Sequence, residues 1–199
     1  STFANSLKVT METPNKSNRV SNIEINLPKE FFYIKMTRDT LVTEYSITKD
    51  TCHYALNGKK LLSVSEKKAY NINCDRATLY KNYYTFLYGL PMKLKDPGTR
   101  IDNNVQTKVF NGKSYLVLKV HYDEEVGSDV WYFYFNPITF AMEIYQFYKT
   151  DNQGEIIPDS GEYILLTGEA VINNIKMPKN RAWYYNKDNT YLGTDILNK

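Results

Sequence analysis

The sequence predicts a mainly β protein, built on an antiparallel sheet and containing one clear helix. Segments in which apolar and polar residues alternate recur along most of the chain, as expected for strands with one face against a core. Tight-turn pairs, Asn-Gly twice and Asn-Asn once, separate such segments at 57–58, 111–112 and 173–174. The segment 74–91 instead repeats its apolar residues with the 3.6-residue period of a helix. Because 199 residues fit one all-β domain, we expect a single domain over 1–199.

The first predicted strand pair surrounds a proline. NIEINLP alternates Ile23 and Ile25 with polar residues, and KEFFYIKM follows the proline. In that second segment Phe32, Ile34 and Met36 have the same parity, which places them on one face of a strand. The pattern therefore predicts a strand, a turn and a second strand.

The predicted helix lies in CDRATLYKNYYTFLYGLP. Asp75 is the expected N-cap, and Tyr83 and Leu87 fall on the apolar period. The helix is expected to stop at Gly89, with Pro91 beyond it.

Two further strands follow the second Asn-Gly pair and are rich in apolar side chains. SYLVLKVHY places Leu116 and Leu118 on one face. The segment 129–149 holds nine aromatic residues in twenty-one. Within it, Trp131, Phe133 and Phe135 share one face of a strand, while a valine and two tyrosines occupy the other.

The chain then turns at NPIT and returns as FAMEIYQFYK. A change of apolar parity near Ile144 predicts a β-bulge there. EYILLTGEAVINNIKMP predicts two more strands joined at the Asn-Asn pair. The sequence thus favours a meander of strands interrupted by one helix.

Composition excludes several classes of protein. Charged residues make up 24% of the chain and the formal net charge is +3, which is typical neither of a disordered chain nor of a strongly basic nucleic-acid binder. The lysines of NGKK (57–60) and SEKK (65–68) read as solvated hairpin ends. Strand 130–135 has rings but no Arg or Lys, so we expect no nucleic-acid partner. No apolar run approaches the roughly 20 residues of a membrane-spanning helix.

No motif predicts catalysis. His121 precedes an acidic loop that ends at Asp129, but a second histidine and a recognisable ligand spacing are missing, so a solvated hairpin loop is the preferred interpretation. His53 adjoins Cys52, and neighbouring residues in a strand point to opposite faces. Phosphate-binding glycine loops are absent. We expect no metal site, no cofactor and no enzyme.

The two cysteines, Cys52 and Cys74, match no zinc or redox motif. They form either one disulfide or two free thiols, and the sequence leaves both possibilities open. The aromatic stretch also has two interpretations. Its rings either fill a plain core or line a groove for a hydrophobic ligand.

The order of these signals, together with LYGLPMKLKDPG at 87–98, resembles a Bacteroidota branch of the LolA/LppX-like cell-envelope proteins. The resemblance covers most of the chain and rests on the sequence of motifs. These are INLPKEFFYIKM, an Asn-Gly hairpin, a Tyr/Phe-rich helix, YLVLKVHY, DVWYFYFNP and a closing GEYI, IKMP and WYY.

The resemblance implies a fold, a compartment and a ligand. The fold is a curved antiparallel sheet forming an incomplete (half) β-barrel, with one or a few helices over a concave apolar face that often shelters acyl chains. The compartment is the cell envelope, periplasmic or associated with the outer membrane, and many members are lipid-anchored. The helix that such proteins have ahead of the first strand is either missing or trimmed to STFANS, which would make the covering lid smaller, and no lipobox cysteine precedes Ser1. A start without Met fits a mature or trimmed chain, in which a removed signal or lipid anchor would not be visible.

We therefore expect an exported, non-enzymatic protein that binds a hydrophobic or lipid-like ligand on that concave face. The choice of strand parity decides which residues bind, because a shift of one residue moves every ring to the other face. The predicted ligand contacts are Phe32, Ile34, Leu116, Leu118, Trp131, Phe133 and Phe135, with Tyr83 and Leu87 on a covering helix.

Two other functions remain open at this stage. The first is an envelope structural or interaction module with a filled core, whose eighteen tyrosines serve a protein or glycan partner. The second is a hydrolase acting at the loop from His121 to Asp129.

Overall fold

A computed structural model describes residues 4–198 and shows a mainly β protein. The described residues form thirteen strands of one antiparallel sheet and two α-helices, which confirms the predicted fold class. The strands are β1 (Ala4–Thr13), β2 (Lys16–Asn26), β3 (Phe31–Arg38), β4 (Leu41–Thr48), β5 (Thr51–Leu56), β6 (Thr99–Ile101), β7 (Gln106–Phe110), β8 (Lys113–Tyr122), β9 (Val130–Phe135), β10 (Met142–Tyr148), β11 (Glu162–Ile172), β12 (Ile175–Tyr185) and β13 (Tyr191–Asn198). The helices are α1 (Val64–Tyr70) and α2 (Cys74–Leu87).

Hydrogen-bonded strands follow the order β5-β4-β3-β2-β1-β13-β12-β11-β10-β9-β8-β6, and β7 also pairs with β8. The chain packs as two compact units. Unit 1 comprises the described residues of Ser1–Gly89 with Glu169–Met177 and those of Asp195–Lys199; unit 2 comprises Leu90–Gly168 and Pro178–Thr194. The expected single domain over 1–199 stays a prediction.

In unit 1, helix α2 covers one face of strands β3 to β5. The antiparallel register sets Ile23 opposite Ile34, and Ile34 opposite Tyr45, so these side chains share that face. All three are buried. The helix adds Ala77 and Tyr84 to the same core. The predicted strand, turn and strand around Pro28 are confirmed by β2 and β3.

The helices begin differently from the prediction. The N-cap of α2 is Asn73, not Asp75, because the Asn73 side chain accepts a hydrogen bond from the backbone N–H of Arg76 at 2.7 Å. The SEKK segment is not a hairpin end, since it lies in α1. There Ser63 and Glu66 form a capping box, in which each side chain accepts a hydrogen bond from the backbone N–H of the other residue.

In unit 2, strands β8, β9 and β10 form a continuous antiparallel ladder. Leu118 lies opposite Phe133, and Phe133 lies opposite Tyr145. The register shifts between Met142 and Ile144, which confirms the predicted bulge.

The predicted tight turns are also confirmed. Asn57 and Asn111, each followed by a glycine, adopt the left-handed conformation that a tight hairpin turn requires. Asn173 and Asn174 both do so between β11 and β12. By contrast, β1 was not predicted, although it pairs with β2 through a turn at Asn15. The expected trimming at Ser1 concerns residues outside the described range.

Cys52 and Cys74 form a disulfide that joins β5 to the first residue of α2. The bridge closes a loop with a sequence separation of 22 residues, which includes α1. The disulfide links the start of the covering helix to the sheet of unit 1. A cross-link of this kind stabilises the folded protein mainly because it removes conformations from the unfolded chain.

Within residues 4–198, neither helix has the length and apolar composition needed to cross a membrane.

Loss of the disulfide is expected to destabilise the protein measurably. Replacing both Cys52 and Cys74 by serine should lower the free energy of unfolding by about 3 kcal/mol, because the unfolded chain regains loop conformations. Urea unfolding, followed by circular dichroism, measures the change. A thiol reductant should lower the midpoint of the wild type and leave the double variant unaffected; equal midpoints for wild type and variant would contradict the prediction.

The capping box of α1 should respond to acid. Hydrogen bonds from Lys59 and from Ser63 hold the pKa of Glu66 at about 2, below its ordinary value of 4.5. A lowered folded-state pKa stabilises the structure above the ordinary pKa, and this contribution is lost as pH falls from 4.5 toward about 2. NMR titration of the Glu66 carboxyl carbon measures this pKa, and the α1 amide signals report whether the start of the helix changes over the same pH range. Glu66→Gln should keep the cap and remove the transition; a Glu66 titration at the ordinary value would refute the assignment.

Candidate functional site

Strands β8, β9 and β10 present two apolar faces of different character. We call one the Trp131 face and the other the Tyr134 face. The Trp131 face carries Leu116, Leu118, Val120, Trp131, Phe133, Phe135, Met142, Tyr145 and Phe147. The Tyr134 face carries Tyr115, Val117, Val130, Tyr132, Tyr134 and Ile144.

The Tyr134 face is a closed core. These six side chains are buried, and four partly buried apolar side chains pack against them: Phe110, Tyr148, Ile156 and Leu165. Tyr148 lies on the same face opposite Val130, and Lys119 and Gln146 lie on it opposite Tyr132. The phenol of Tyr134 donates a hydrogen bond to Gln146, and that of Tyr115 donates one to Glu143 at 3.1 Å. Burial raises the pKa of Tyr132, so its phenol stays protonated at neutral pH. These tyrosines therefore serve the interior of unit 2.

The Trp131 face keeps part of its apolar surface in water. Phe133, at its centre, is fully buried at 0% exposure. Around it six large apolar side chains remain partly exposed: Leu116, Leu118, Trp131, Phe135, Met142 and Phe147. Together they form a contiguous patch across three strands, since Leu116, Phe135 and Met142 lie in one cross-strand row. Such a patch is typical of a surface that binds an apolar partner or ligand.

Ring stacking makes the Trp131 face rigid. The Trp131 ring stacks on Phe147 with centroids 4.8 Å apart, and lies parallel to Phe133 at 5.9 Å. Phe133 in turn meets Tyr145 edge to face. Fixed rings lose little side-chain entropy when a ligand covers them. The face is therefore suited to contact by an apolar molecule.

The structure brings five predicted site residues together on this face. Leu116 lies opposite Phe135, Leu118 lies opposite Phe133, and Trp131 follows in the same strand. Their assignment to one parity in the sequence agrees with their shared face in the structure. Their role in binding stays a prediction.

The other four predicted site residues lie in unit 1 and form part of its helix–sheet core. Phe32, Ile34 and Leu87 are buried, with exposures of 1%, 0% and 2%. Tyr83 donates a short hydrogen bond from its phenol to the carboxylate of Asp195, which is itself buried. Burial and this carboxylate raise the pKa of Tyr83 well above its ordinary value, so Tyr83 acts as a neutral donor.

Sequence reasoning missed the contribution of β10 to the Trp131 face. The bulge between Met142 and Ile144 shifts the parity of the strand, and it places Met142 on the same face as Tyr145 and Phe147. In a regular strand without a bulge, Met142 and Phe147 would lie on opposite faces, because they are an odd number of positions apart. The parity change that predicted the bulge also contained the information needed to find these residues.

The loop after β8 has the character of a solvated ionic surface. Asp123 forms an ion pair with Arg100 at 2.8 Å, and this arginine lowers the pKa of the Asp123 carboxyl. The Nε2 of His121 lies 3.3 Å from Asp102. Across residues 4–198, no three His, Cys, Asp or Glu side chains lie together in a way that could hold a metal ion.

A family model for DUF6503, described as a family of unknown function, matches residues 1–198. The chain belongs to DUF6503. No curated protein matches it.

Two solved structures resemble this DUF6503 member across nearly all of its length. A LolA superfamily protein from Nitrosomonas europaea has a TM-score of 0.50 and 8% identity, over 98% of this chain and 84% of the other. A DUF1329 family protein from Desulfovibrio piger has a TM-score of 0.49 and 7% identity, over 98% and 83%. The first likeness shows that this chain has a LolA-like fold.

Truncation of the central ring should cost far more stability than truncation of a peripheral one. Phe133→Ala is expected to lower the free energy of unfolding by about 3–5 kcal/mol, because it leaves a cavity in a fully buried site. Leu118→Ala, on the same face but partly exposed, should cost less than about 2 kcal/mol. Urea unfolding of both variants tests the comparison. Similar losses for the two would show that Leu118 is as enclosed as Phe133.

Proposed function

We propose that this DUF6503 member is an exported, non-enzymatic protein that binds a hydrophobic or lipid-like ligand on the Trp131 face of unit 2. One observation carries the proposal. Six large apolar side chains stay partly exposed on a rigid sheet face, whereas the opposite face of the same strands is closed. Exposed apolar surface of this extent is unfavourable in water, and a bound acyl chain would remove it from solvent.

The energetics suit a ligand with a long apolar part. Each buried methylene contributes about 0.8 kcal/mol, so ten methylenes contribute at most about 8 kcal/mol before the cost of association. Affinity would then grow with chain length and need few polar contacts. Aromatic rings and Met142 are well suited to this use, because thioethers and ring faces adapt to irregular apolar shapes.

The fold and the disulfide support the same proposal. The LolA-like fold agrees with the half-barrel that the resemblance to LolA/LppX-like proteins implies. As part of the proposal, we extend three properties of those proteins to this chain: a hydrophobic or lipid-like ligand, a location in the cell envelope and a lipid anchor. The disulfide between Cys52 and Cys74 suits an oxidising compartment such as the periplasm.

The proposal rests on the five predicted residues in unit 2: Leu116, Leu118, Trp131, Phe133 and Phe135. The four in unit 1 are Phe32, Ile34, Tyr83 and Leu87, and the helix–sheet core of that unit already occupies their surfaces. We therefore design the test on unit 2.

A second function has one observation in its favour. Three tyrosine rings follow one another on β11, β12 and β13: Tyr163 stacks on Tyr184 at 5.1 Å, and Tyr184 meets Tyr191 at 5.4 Å. Tyr191 is 37% exposed. Tyr184 is partly exposed and Tyr163 is buried, so the accessible end of the row is Tyr191. Exposed tyrosine rings are common in protein-binding surfaces. This row favours an envelope interaction module with a protein or glycan partner.

Native mass spectrometry of protein purified from cells, followed by organic extraction, tests ligand binding. We expect a bound acyl species in the wild type and its loss in Leu118→Gln and Trp131→Gln, because a polar group on the face removes apolar contact. Ile138→Gln is the matched control, since Ile138 is 85% exposed in the turn between β9 and β10. A titration with a fluorescent fatty acid should give the same ranking.

Two results would count against the proposal. One is a clean unliganded mass together with no fatty-acid binding by folded wild-type protein. The other is equal binding by wild type and both Trp131-face variants. A partner recovered through the tyrosine row, and lost in Tyr191→Ala, would support the second function instead.

A further inference from the structure

Arg19 of β2 and Arg38 of β3 lie at the end of the pairing between these two strands in unit 1. The last residues paired are Val20 and Thr37, and the two arginines are the next residues beyond them. Arg19 has the parity of the buried Ser21, and Arg38 has that of the buried Met36, which places both on the helix-covered face. Like charges on neighbouring strands of one face repel each other. A compensating negative charge is therefore expected nearby.

The described residues supply little of that compensation. No carboxylate lies within ion-pair distance of Arg19 or Arg38. Asp195 acts on Arg19 only at longer range, and its carboxylate accepts the hydrogen bond of Tyr83. The Nε–H groups of both arginines are buried and have no hydrogen-bond partner. A buried donor left unpaired is unfavourable, so these two groups point to a missing acceptor.

Neighbouring side chains extend the same polar site. The Nη2 of Arg19 donates a long hydrogen bond of 3.5 Å to the phenol of Tyr84. The ring of Tyr80 lies 5.7 Å from the Arg19 guanidinium and 5.0 Å from that of Arg76. Burial raises the pKa of Tyr84 to about 12, so this phenol keeps its proton at neutral pH. The site thus gathers cations and neutral donors.

We infer that Arg19, Arg38 and the Tyr84 phenol form a binding site for an oxyanion, either a carboxylate or a phosphate. A guanidinium presents its donors in a planar fork that matches the oxygens of these groups. Both arginines are partly exposed as whole residues, while their Nε atoms are buried. The anion is a free ion or the head group of an amphiphile. The site lies in unit 1 and stands independently of apolar binding on the Trp131 face.

Thermal unfolding and calorimetric titration of the full chain test this site. The probes are inorganic phosphate and decyl phosphate, with decanol as the uncharged analogue and sodium chloride at equal ionic strength as the salt control. We expect saturable binding of a phosphate probe that chloride does not reproduce. Arg38→Gln should weaken that binding about tenfold, and Arg38→Lys should restore part of it. Lys35→Gln, an exposed change of equal charge on the same strand, should have no effect.

Comparison of inorganic phosphate with decyl phosphate distinguishes a free anion from the head group of an amphiphile. Binding of inorganic phosphate with a Kd similar to that of decyl phosphate supports a free-ion site, and saturable binding of decyl phosphate alone, weakened in Arg38→Gln, supports a head-group site. No saturable binding of either phosphate, or equal binding by wild type and Arg38→Gln, overturns the inference. Arg19→Gln supplies an independent variant once circular dichroism shows that it folds. Decanol binding unaffected by Arg38→Gln reports on apolar binding, which keeps the two proposals separate.

Discussion

The two-residue alternation of strand β9 sets the character of both faces of unit 2. Because neighbouring side chains point to opposite sides, its six residues divide into Trp131, Phe133 and Phe135 on one face and Val130, Tyr132 and Tyr134 on the other. The tyrosines can be buried because their hydroxyls find polar partners such as Gln146. Phenylalanine has no polar group to satisfy, so Phe133 and Phe135 can contribute purely apolar surface to the Trp131 face.

The bulge in β10 is required for this division to continue across the sheet. Glu143 lies in the bulge and accepts hydrogen bonds from Lys113, Tyr115 and Asn136, all through its side chain. Hydrogen bonds to a carboxylate hold a side chain firmly when several donors converge on it. Lys113, Asn136 and Tyr115 together keep the pKa of Glu143 below its ordinary value despite partial burial. The polar bulge thus fixes the register that aligns Met142 with Phe135 on the Trp131 face.

Local rules predicted most of the strands and turns, and tertiary context decided the rest. The Asn-Gly pairs, the helix in 74–91 and the bulge follow from steric and periodic rules that act within a few residues. The N-cap was placed wrongly because Asn73 and Asp75 are both good caps, and only the geometry of the helix start selects between them. SEKK became part of α1 because Glu66 completes a capping box whose partner, Ser63, lies outside the quoted motif.

The candidate sites depend on information that no single segment contains. Parity within β9 identifies a face, but only the pairing with β8 and β10 shows that Leu118 and Phe147 extend it. Likewise, Arg19 and Arg38 are nineteen positions apart, and nothing in either segment indicates that both lie next to the last pair of β2 and β3, Val20 and Thr37.

The two proposed sites differ in the physics of binding and therefore in what each would select. Contact with the Trp131 face scales with buried apolar area, so affinity would rise with chain length and depend weakly on salt. Contact with the Arg19 and Arg38 guanidinium groups scales with charge and hydrogen-bond geometry, so affinity would fall as ionic strength rises and would depend on the charge of the head group. A ligand series varied separately in chain length and in head-group charge therefore assigns each increment of affinity to one site.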